Sequence, residues 1–274
     1  MDELPLPGVP KRLFACTPSK LAVWLDCPRR YRLTYLDRPT PAKGPAWAHN
    51  SFGATVHNAL KAWWLLPRSR RTAESAAALV DAAWIRDGYR DAAQEQSWRA
   101  RGRAIVRRYV GTLDADVEPL GVERTVATRT SALALSGRVD RLDDRDGSLV
   151  VVDYKTGRRP LSTDDARGSM ALAIYAFAVG RMFRRPVRRV ELHHLPTGIV
   201  HAWDHTAESI DRQLGRATAT ALEARDAREF PARPGPMCAW CDFARVCPEG
   251  LAAGAPRRPW EGLGDDAGEV EEIA

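Results

Sequence analysis

The stretch SLVVVDYKTG, residues 148–157, constrains the fold of this chain more than any other segment. Its four consecutive apolar residues, 149–152, predict a strand that is buried in a core. The strand ends in Asp153 and Lys155, which are two residues apart and therefore point to the same face. The sequence thus predicts an acid and a base side by side at the end of a buried strand. Solvation of both charges at a strand end is the simpler alternative.

A second carboxylate is expected close to this strand end. Asp140 lies in the preceding predicted strand, GRVDRL, and residues 143–147, DDRDG, predict the turn of a hairpin between the two. Two carboxylates at neighbouring strand ends form a hard oxygen site that suits Mg²⁺ or Mn²⁺. Such a metal acidifies a bound water and stabilises charge on a phosphate, and a lysine on the same face can assist. The chemistry indicated is phosphodiester hydrolysis.

The distribution of periodic segments predicts one α/β domain with helical additions. Helical spacing dominates residues 17–118, strand patterns with turns fill most of residues 120–205, and helical spacing returns over 206–250. We therefore expect an extended segment at 1–16, a single domain at 17–250 with its core at about 120–205, and an acidic disordered tail at 251–274. Residues 164–183 are expected to form a helix within the core.

The charge distribution favours a polyanionic partner. The formal charge is +6, but residues 261–274 hold six acids and no base, which leaves 41 bases against 29 acids, or +12, over residues 1–260. Nucleic acid is the first candidate, and an Arg-rich proteome with solvated arginines is the alternative. The sequence has no apolar run of about 18 residues, no signal-peptide pattern and no GxxxxGK[ST] loop. We expect a cytoplasmic protein without a membrane span and without a P-loop motor.

Aromatic residues interleaved with arginines suggest a surface for single-stranded DNA. Stacking on aromatic side chains and phosphate pairing with arginines are typical of such surfaces. At least half of the tryptophans are nevertheless expected in the core. The segment WRARGRAIVRRYV, residues 98–110, is the best candidate for a basic helix face. The aromatic candidates are Tyr31, Trp47, Trp63, Trp64, Trp98 and Trp240.

The five cysteines include a metal-binding pattern near the C-terminus. Cys238, Cys241 and Cys247 form C-x₂-C-x₅-C. Three clustered thiols need a fourth ligand for a tetrahedral site, and spacing alone allows either Cys27 or Cys16 to supply it. In a cytoplasmic chain these residues are not expected to form structural disulfides.

The pattern GRVDRL…SLVVVDYKTG closely resembles the core of the RecB-like nucleases in the PD-(D/E)XK superfamily. The resemblance implies a restriction-endonuclease-like core, a small mixed sheet flanked by helices. It also implies that Asp140 and Asp153 ligate the metal, that the main-chain carbonyl of Tyr154 is a further ligand, and that Lys155 is the catalytic lysine. The matching positions are Gly137, Asp140, Asp153, Lys155, Thr156 and Gly157.

The same resemblance assigns residues on two helices. FGATVHNAL supplies Gly53 and His57 for the family's upstream Gly-x-x-x-His, which implies that His57 is a metal ligand. The family usually carries Gln-x-x-x-Tyr on the helix after the lysine. Here Tyr175 matches, but Ala171 stands at the glutamine position. Tyr175 is kept as a catalytic or DNA-contacting candidate, with a buried packing role as the alternative.

The cysteine layout is similar to that of AddB-type members of this family. The segment CPRRY, starting at Cys27, matches their N-terminal element. The resemblance implies that Cys27, Cys238, Cys241 and Cys247 hold a [4Fe–4S] cluster that joins the N-terminal and C-terminal helical segments, and it leaves Cys16 free. A Cys₄ zinc site and unclustered thiols are the alternatives.

The resemblance implies a metal-dependent DNA nuclease of little sequence specificity. We expect an exonuclease of repair or recombination that uses Mg²⁺ or Mn²⁺ and acts on single-stranded DNA or on DNA with single-stranded ends. The alternative is a weakly catalytic or inactive DNA-binding module that works with a helicase partner. An RNA nuclease is a third possibility.

Overall fold

The computed structural model describes residues 13–264 of the 274. The N-terminal half is helical except for its first strand, and a mixed sheet with intervening helices follows. The strands are β1 Phe14–Cys16, β2 Gly121–Arg129, β3 Leu133–Arg145, β4 Ser148–Lys155, β5 Val187–His194 and β6 Ile199–Asp204. The helices are α1 Pro18–Asp26, α2 Pro28–Tyr35, α3 Ala48–Trp64, α4 Ala73–Ala82, α5 Ala92–Gly111, α6 Thr163–Gly168, α7 Met170–Phe183, α8 Ala207–Asp226 and α9 Pro248–Ala253.

The six strands form one mixed sheet in the order β1-β3-β4-β5-β6, and β2 pairs with β3. The β3–β4 and β5–β6 pairs are antiparallel, whereas β4 and β5 run parallel. The connection between β4 and β5 passes through α6 and α7, as a parallel pair requires. The architecture is α/β, a six-stranded mixed sheet flanked by helices, and is consistent with the predicted restriction-endonuclease-like class.

Strand β4 is buried on both faces, which explains its unbroken apolar run. Val150, Val152 and Tyr154 pack into the core that contains α3 and α5. Leu149 and Val151 pack into a second core that contains α7. Because the two helical layers cover opposite faces of this strand, its end is held rigidly where Asp153 and Lys155 follow.

Helix boundaries depend on caps that the apolar periodicity does not reveal. The expected helix over residues 164–183 is two helices, because the Ser169 side chain accepts a hydrogen bond from the Leu172 N–H and begins α7. Likewise, Cys27 and Pro28 separate α1 from α2. Within the described residues, no helix is both long and apolar enough to cross a membrane.

Most of the predicted stacking platforms are interior residues. Five of the six aromatic candidates are buried, and Trp240 is half-buried. The expectation that at least half of the tryptophans lie in the core is therefore confirmed, and the broader aromatic surface is not formed. Helices in this half pack against one another and the sheet, so their aromatic faces are covered. The buried residues are Tyr31, Trp47, Trp63, Trp64 and Trp98.

The predicted basic face of α5 is largely compensated by neighbouring groups. Arg99 and Arg103 pair with Asp81 of α4 at 2.6 and 3.0 Å, and Arg107 pairs with Glu74 at 3.0 Å. The Arg108 guanidinium donates to the carbonyl oxygens of Leu195 and Pro196. This helix face therefore carries less available positive charge than its sequence indicates.

Residues 251–264 depart from the expected disordered tail. Helix α9 ends at Ala253, and Leu263 is buried in the core beside α3 and α5. The Ala48 N–H donates to the carbonyl oxygen of Pro259 at 3.1 Å, and the buried Gln94 amide donates to that of Gly264. These residues hold one acid, Glu261, against Arg257 and Arg258, so the acidic composition of the predicted tail does not extend to them. Residues 1–12 of the predicted extended segment and residues 265–274 of the predicted tail lie outside the described residues.

Candidate metal centre

The β3–β4 hairpin brings Asp140 to the end of β4, as the turn prediction requires. The register pairs Arg141 with Val152, so Asp140 lies opposite Asp153. The Tyr154 N–H donates to Asp140 Oδ2 at 2.7 Å. This bond fixes one carboxylate oxygen of Asp140 and leaves the other to face the site.

His57 of α3 and Glu123 of β2 complete a cluster of potential metal ligands around Asp140. His57 Nδ1 is 3.3 Å from Asp140 Oδ1 and 3.6 Å from Glu123 Oε1. Among the described residues, these three form the one group of three or more histidine, cysteine, aspartate or glutamate ligand atoms that all lie within 4.8 Å of one another. One imidazole and two carboxylates form a donor set that suits Mn²⁺ or Mg²⁺.

Glu123 was not predicted, and a backbone feature positions it. The pairs on either side, Val122 with Arg141 and Arg124 with Val139, keep one register, which places Glu123 opposite Asp140. Glu123 has a φ of 48°, in the left-handed region that costs energy for a residue with a Cβ. This local strain occurs at the residue whose carboxylate reaches His57.

The electrostatics of His57 reflect its two acidic neighbours. Burial would lower the imidazole pKa, but hydrogen bonds to Asp140 and Glu123 outweigh it and raise that pKa to about 10. The cluster therefore strongly stabilises a positive charge at its centre, which is what the binding of a divalent cation requires.

Asp153 and Lys155 form an ion pair beside this cluster. Lys155 Nζ contacts Asp153 Oδ2, and the Lys155 side chain is 46% exposed whereas that of Asp153 is 17% exposed. Burial raises the pKa of Asp153; the Lys155 ammonium opposes that rise, and the Asp140 carboxylate adds to it. The predicted ligand set was His57, Asp140, Asp153 and Tyr154. The structure groups the first two with Glu123 and places Asp153 next to them, paired with the lysine.

Tyr175 of α7 packs against the strand that carries Asp140. A Cβ at Gly137 would overlap the Tyr175 ring, so glycine is needed for this approach. Burial raises the pKa of Tyr175 to about 12, with further contributions from the negative charges of Asp153 and Asp140. Tyr175 thus keeps its proton, packs against the core formed by α7 and the sheet, and lies near both acids. The catalytic and packing interpretations both remain compatible with this position.

Close packing at Gly53 brings α3 against the loop that follows β4. A Cβ at Gly53 would lie 3.1 Å from Thr156 Oγ1, tighter than ordinary contacts. Gly53 precedes His57 by about one helical turn. The glycine thereby lets His57 approach the end of β4, which gives the Gly-x-x-x-His spacing a steric reason.

Four of the five cysteines line one cavity between the N-terminal and C-terminal helical segments. They are the predicted Cys27, Cys238, Cys241 and Cys247. The Arg233 N–H donates to Cys27 Sγ and the Phe243 N–H donates to Cys241 Sγ, both at 3.4 Å. Cys16 lies elsewhere, buried in β1.

The fold and the site define a class of proteins in which a mixed sheet presents acids and a lysine at a strand end. The chain belongs to the PD-(D/E)XK nuclease superfamily, whose family model matches residues 15–248. This result agrees with the metal-binding donor set around His57 and Asp140. No curated protein matches the chain.

Solved structures give a weaker comparison. Thirty-four chains match, among them "Crystal structure of SSO0001", with 12% sequence identity and a TM-score of 0.41. That match covers 89% of this chain and 91% of the other. At this level of similarity it adds nothing to the assignment.

Proposed function

We propose that this protein is a RecB-like, metal-dependent DNA exonuclease of DNA repair or recombination in the cytoplasm. The observation that carries the proposal is the donor set of His57, Glu123 and Asp140 beside the Asp153–Lys155 pair. Superfamily membership supports nuclease chemistry. The basic composition of residues 1–260 supports a nucleic-acid substrate.

In this proposal the residues of the site divide the work. Mg²⁺ or Mn²⁺ would be held by the predicted ligands His57, Asp140, Asp153 and the main-chain carbonyl of Tyr154. Glu123 is an additional ligand. The bound metal supplies an acidified water and positive charge at the phosphate. The half-exposed Lys155 orients the attacking water and stabilises the negative charge that develops on the phosphate.

Tyr175 and Ala171, both on α7, bear on the two candidate functions in different ways. The neutral Tyr175 hydroxyl donates a hydrogen bond toward the substrate or the acids. Ala171 stands where the family usually has glutamine, and this favours the second candidate function, a weakly catalytic or inactive DNA-binding module that serves a helicase partner. Conversely, the clustered donor set and the Lys155–Asp153 pair favour an active enzyme.

A cleavage assay separates these candidates. End-labelled single-stranded DNA, duplex DNA and RNA would be incubated with Mg²⁺ or Mn²⁺, and product ladders would distinguish exonuclease from endonuclease action. We expect cleavage of DNA that is lost in Asp153→Asn. Asp146→Asn, an exposed acid of the β3–β4 turn with a left-handed φ that asparagine tolerates, is the matched control. Unchanged substrates with both metals would contradict the nuclease proposal and support the binding module.

We also propose that Cys27, Cys238, Cys241 and Cys247 hold a [4Fe–4S] cluster. Their shared cavity supports this, as do the two N–H···S bonds, which are typical of ligating thiolates. No three of their sulfur atoms lie within 4.8 Å of one another among the described residues. A single zinc with bonds of about 2.3 Å would need closer sulfurs, whereas a cubane binds each thiolate at a different iron.

The identity of this cofactor has a direct test. Anaerobic purification should give a brown protein that absorbs near ~400 nm and contains iron and sulfide. A colourless protein with stoichiometric zinc would overturn the iron assignment and leave the Cys₄ site intact.

A further inference from the structure

A groove lies directly beside the candidate catalytic residues and is not used by them. Its walls come from the first turns of α3, the loop after β4, the 3₁₀ turn Pro236–Trp240 and residues 262–263. We call it the Trp240 groove. Thr156 and Gly157 on its wall immediately follow Lys155, and Gly53 lies one turn before His57. A chain that passes through the catalytic site would therefore enter this groove next.

One wall of the groove offers a fixed aromatic ring and an exposed apolar side chain. Trp240 packs against Trp47, with ring centroids 5.5 Å apart, and edge-to-face against His49 at 6.0 Å. The Trp47 indole N–H donates to Asp242 Oδ1 at 2.9 Å, which holds this aromatic group in place. Met237 beside it is 72% exposed. A rigid ring next to a polarisable thioether is a suitable surface for a planar base.

The lining of the groove also carries positive charge. The exposed Arg158 donates from Nη1 to the carbonyl oxygen of Leu263 at 3.2 Å, and no carboxylate among the described residues pairs with it. Arg101 and Arg108 lie close by: burial lowers the pKa of Arg101, and the charges of Arg158 and Arg108 lower it further. The exposed Arg158 guanidinium, next to the groove lining, favours an anion such as a phosphodiester.

We propose that the Trp240 groove binds the nucleotide next to the scissile phosphate, with its base against Met237 and Trp240 and its phosphate beside Arg158. The ligand is a single strand, because a base within a duplex cannot unstack onto a protein ring without loss of its pairing. The inference rests on the proposed nuclease function. It also gives the cysteine-bearing segment a role in substrate binding, since Trp240 lies between Cys238 and Cys241.

Variants of this groove should bind single-stranded DNA more weakly than the parent protein. The probe is a fluorescein-labelled oligodeoxythymidylate, and its affinity would be measured by anisotropy in the Asp153→Asn background with Mn²⁺. Trp240→Ala and Met237→Ala should weaken affinity, with the tryptophan change costing about 5- to 100-fold. Trp240→Phe should restore most of the affinity because it keeps a ring. Met182→Ala, an exposed methionine near the end of α7, is the matched control.

An abasic substitution tests the stacking contact itself. One abasic site, moved along the oligonucleotide, should weaken binding to Trp240-containing protein at one position and have no effect there in Trp240→Ala. Arg158→Ala should weaken all strands alike and reduce the salt dependence of binding, whereas Arg181→Ala should not. Arg181 is exposed, and no carboxylate of the described chain pairs with it.

The outcomes distinguish this inference from the function on which it rests. If Trp240→Ala and Met237→Ala bind the probe as tightly as their parent, with cysteine-site absorbance unchanged, the groove does not bind nucleotides. If instead the wild-type protein cleaves nothing but its affinity depends on Trp240 at one strand position, the groove assignment stands and the nuclease proposal fails.

Discussion

Glu123 shows how much a single residue contributes to the proposed metal centre. Its carboxylate is 3.6 Å from His57 Nδ1, and its side chain is only 12% exposed. The exposed Arg138 forms an ion pair with the other carboxylate oxygen at 3.5 Å. Ion pairs with such an exposed partner are weak, so this contact costs little to exchange for a cation.

Glu123→Gln should weaken metal binding and slow cleavage about 10- to 100-fold, because the change removes one negative ligand but keeps the side-chain shape. The measurement is the rise in melting temperature during a Mn²⁺ titration, together with the cleavage rate. The exposed Glu229→Gln is the matched control. An unaltered Mn²⁺ response in Glu123→Gln would place Glu123 outside the metal centre.

Gly137→Ala should destabilise the protein and impair cleavage. A methyl group at this position would overlap the Tyr175 ring, which must then shift within a packed core. We expect a loss of about 1–3 kcal/mol in the free energy of unfolding, measured with urea. Gly111→Ala is the control, since nothing lies within 4 Å of its added Cβ. A Gly137→Ala protein with wild-type stability and activity would show that Tyr175 can move freely.

At the scale of elements, a buried charge network braces the strands behind the site. Glu191 of β5 accepts hydrogen bonds from the Arg145 and Arg189 guanidinium groups and lies 2.9 Å from His193 Nε2. His193 Nδ1 is 2.8 Å from the Tyr109 hydroxyl. The Tyr109 ring in turn packs edge-to-face on Tyr154, at the strand end that holds the acids.

Glu191→Gln should destabilise the fold by about 1–3 kcal/mol, because the buried side chain loses its charge-assisted hydrogen bonds to Arg145 and Arg189, which are each 42% exposed. Burial would raise the Glu191 pKa, but hydrogen bonds with His193, Arg145 and Arg189 lower it well below the usual range. Its contribution is therefore complete above the unfolded pKa of about 4.3 and is lost as the pH falls below that value.

This prediction is checked by measuring the free energies of unfolding of Glu191→Gln and of the wild type between neutral and acidic pH. The difference should shrink on acidification, because the unfolded wild type takes up a proton at Glu191 while the folded protein keeps this carboxylate ionised. Asp204→Asn is the control: Asp204 also pairs with Arg189 but is 66% exposed, and such surface pairs contribute about 0–1 kcal/mol. If the difference in the free energy of unfolding between the two proteins is constant with pH, Glu191 does not act through its charge.

The sequence predicted those elements whose local residue pattern is compatible with only one kind of structure. The apolar run before Asp153 required a strand covered on both faces. A hairpin turn was predicted at residues 143–147; the strands continue through Arg145 and the turn is Asp146–Gly147, which still places Asp140 beside the strand end. Glu123 was missed because its position depends on a strand register and a positive φ that no local pattern shows. The burial of Trp98 and the packing of Leu263 were missed for a similar reason, since both depend on which distant segments cover them.

At the scale of the whole molecule, the N-terminal helices and the C-terminal segment meet around the cysteine cavity. Arg29 of α2 donates to the carbonyl oxygen of Phe230 at 3.0 Å and pairs with Glu249 of α9 at 3.2 Å. These contacts are partly exposed, so each contributes little. More than two hundred residues separate Cys27 from Cys238. A cluster across the cavity would close that long loop and restrict the unfolded chain.

Cys241→Ser should therefore remove the expected absorbance near ~400 nm and loosen the C-terminal segment. Trypsin should then cut sooner at Arg228, which precedes the cysteines. Affinity for single strands should fall because Trp240 loses its support. Cys16→Ala is the control, since Cys16 is buried in β1 away from the cavity. If Cys241→Ser keeps the chromophore and the wild-type digestion rate, the cysteines do not tie the two ends together. The contacts of Arg29, of Trp47 with Asp242 and of Ala48 with Pro259 would then hold the two ends together.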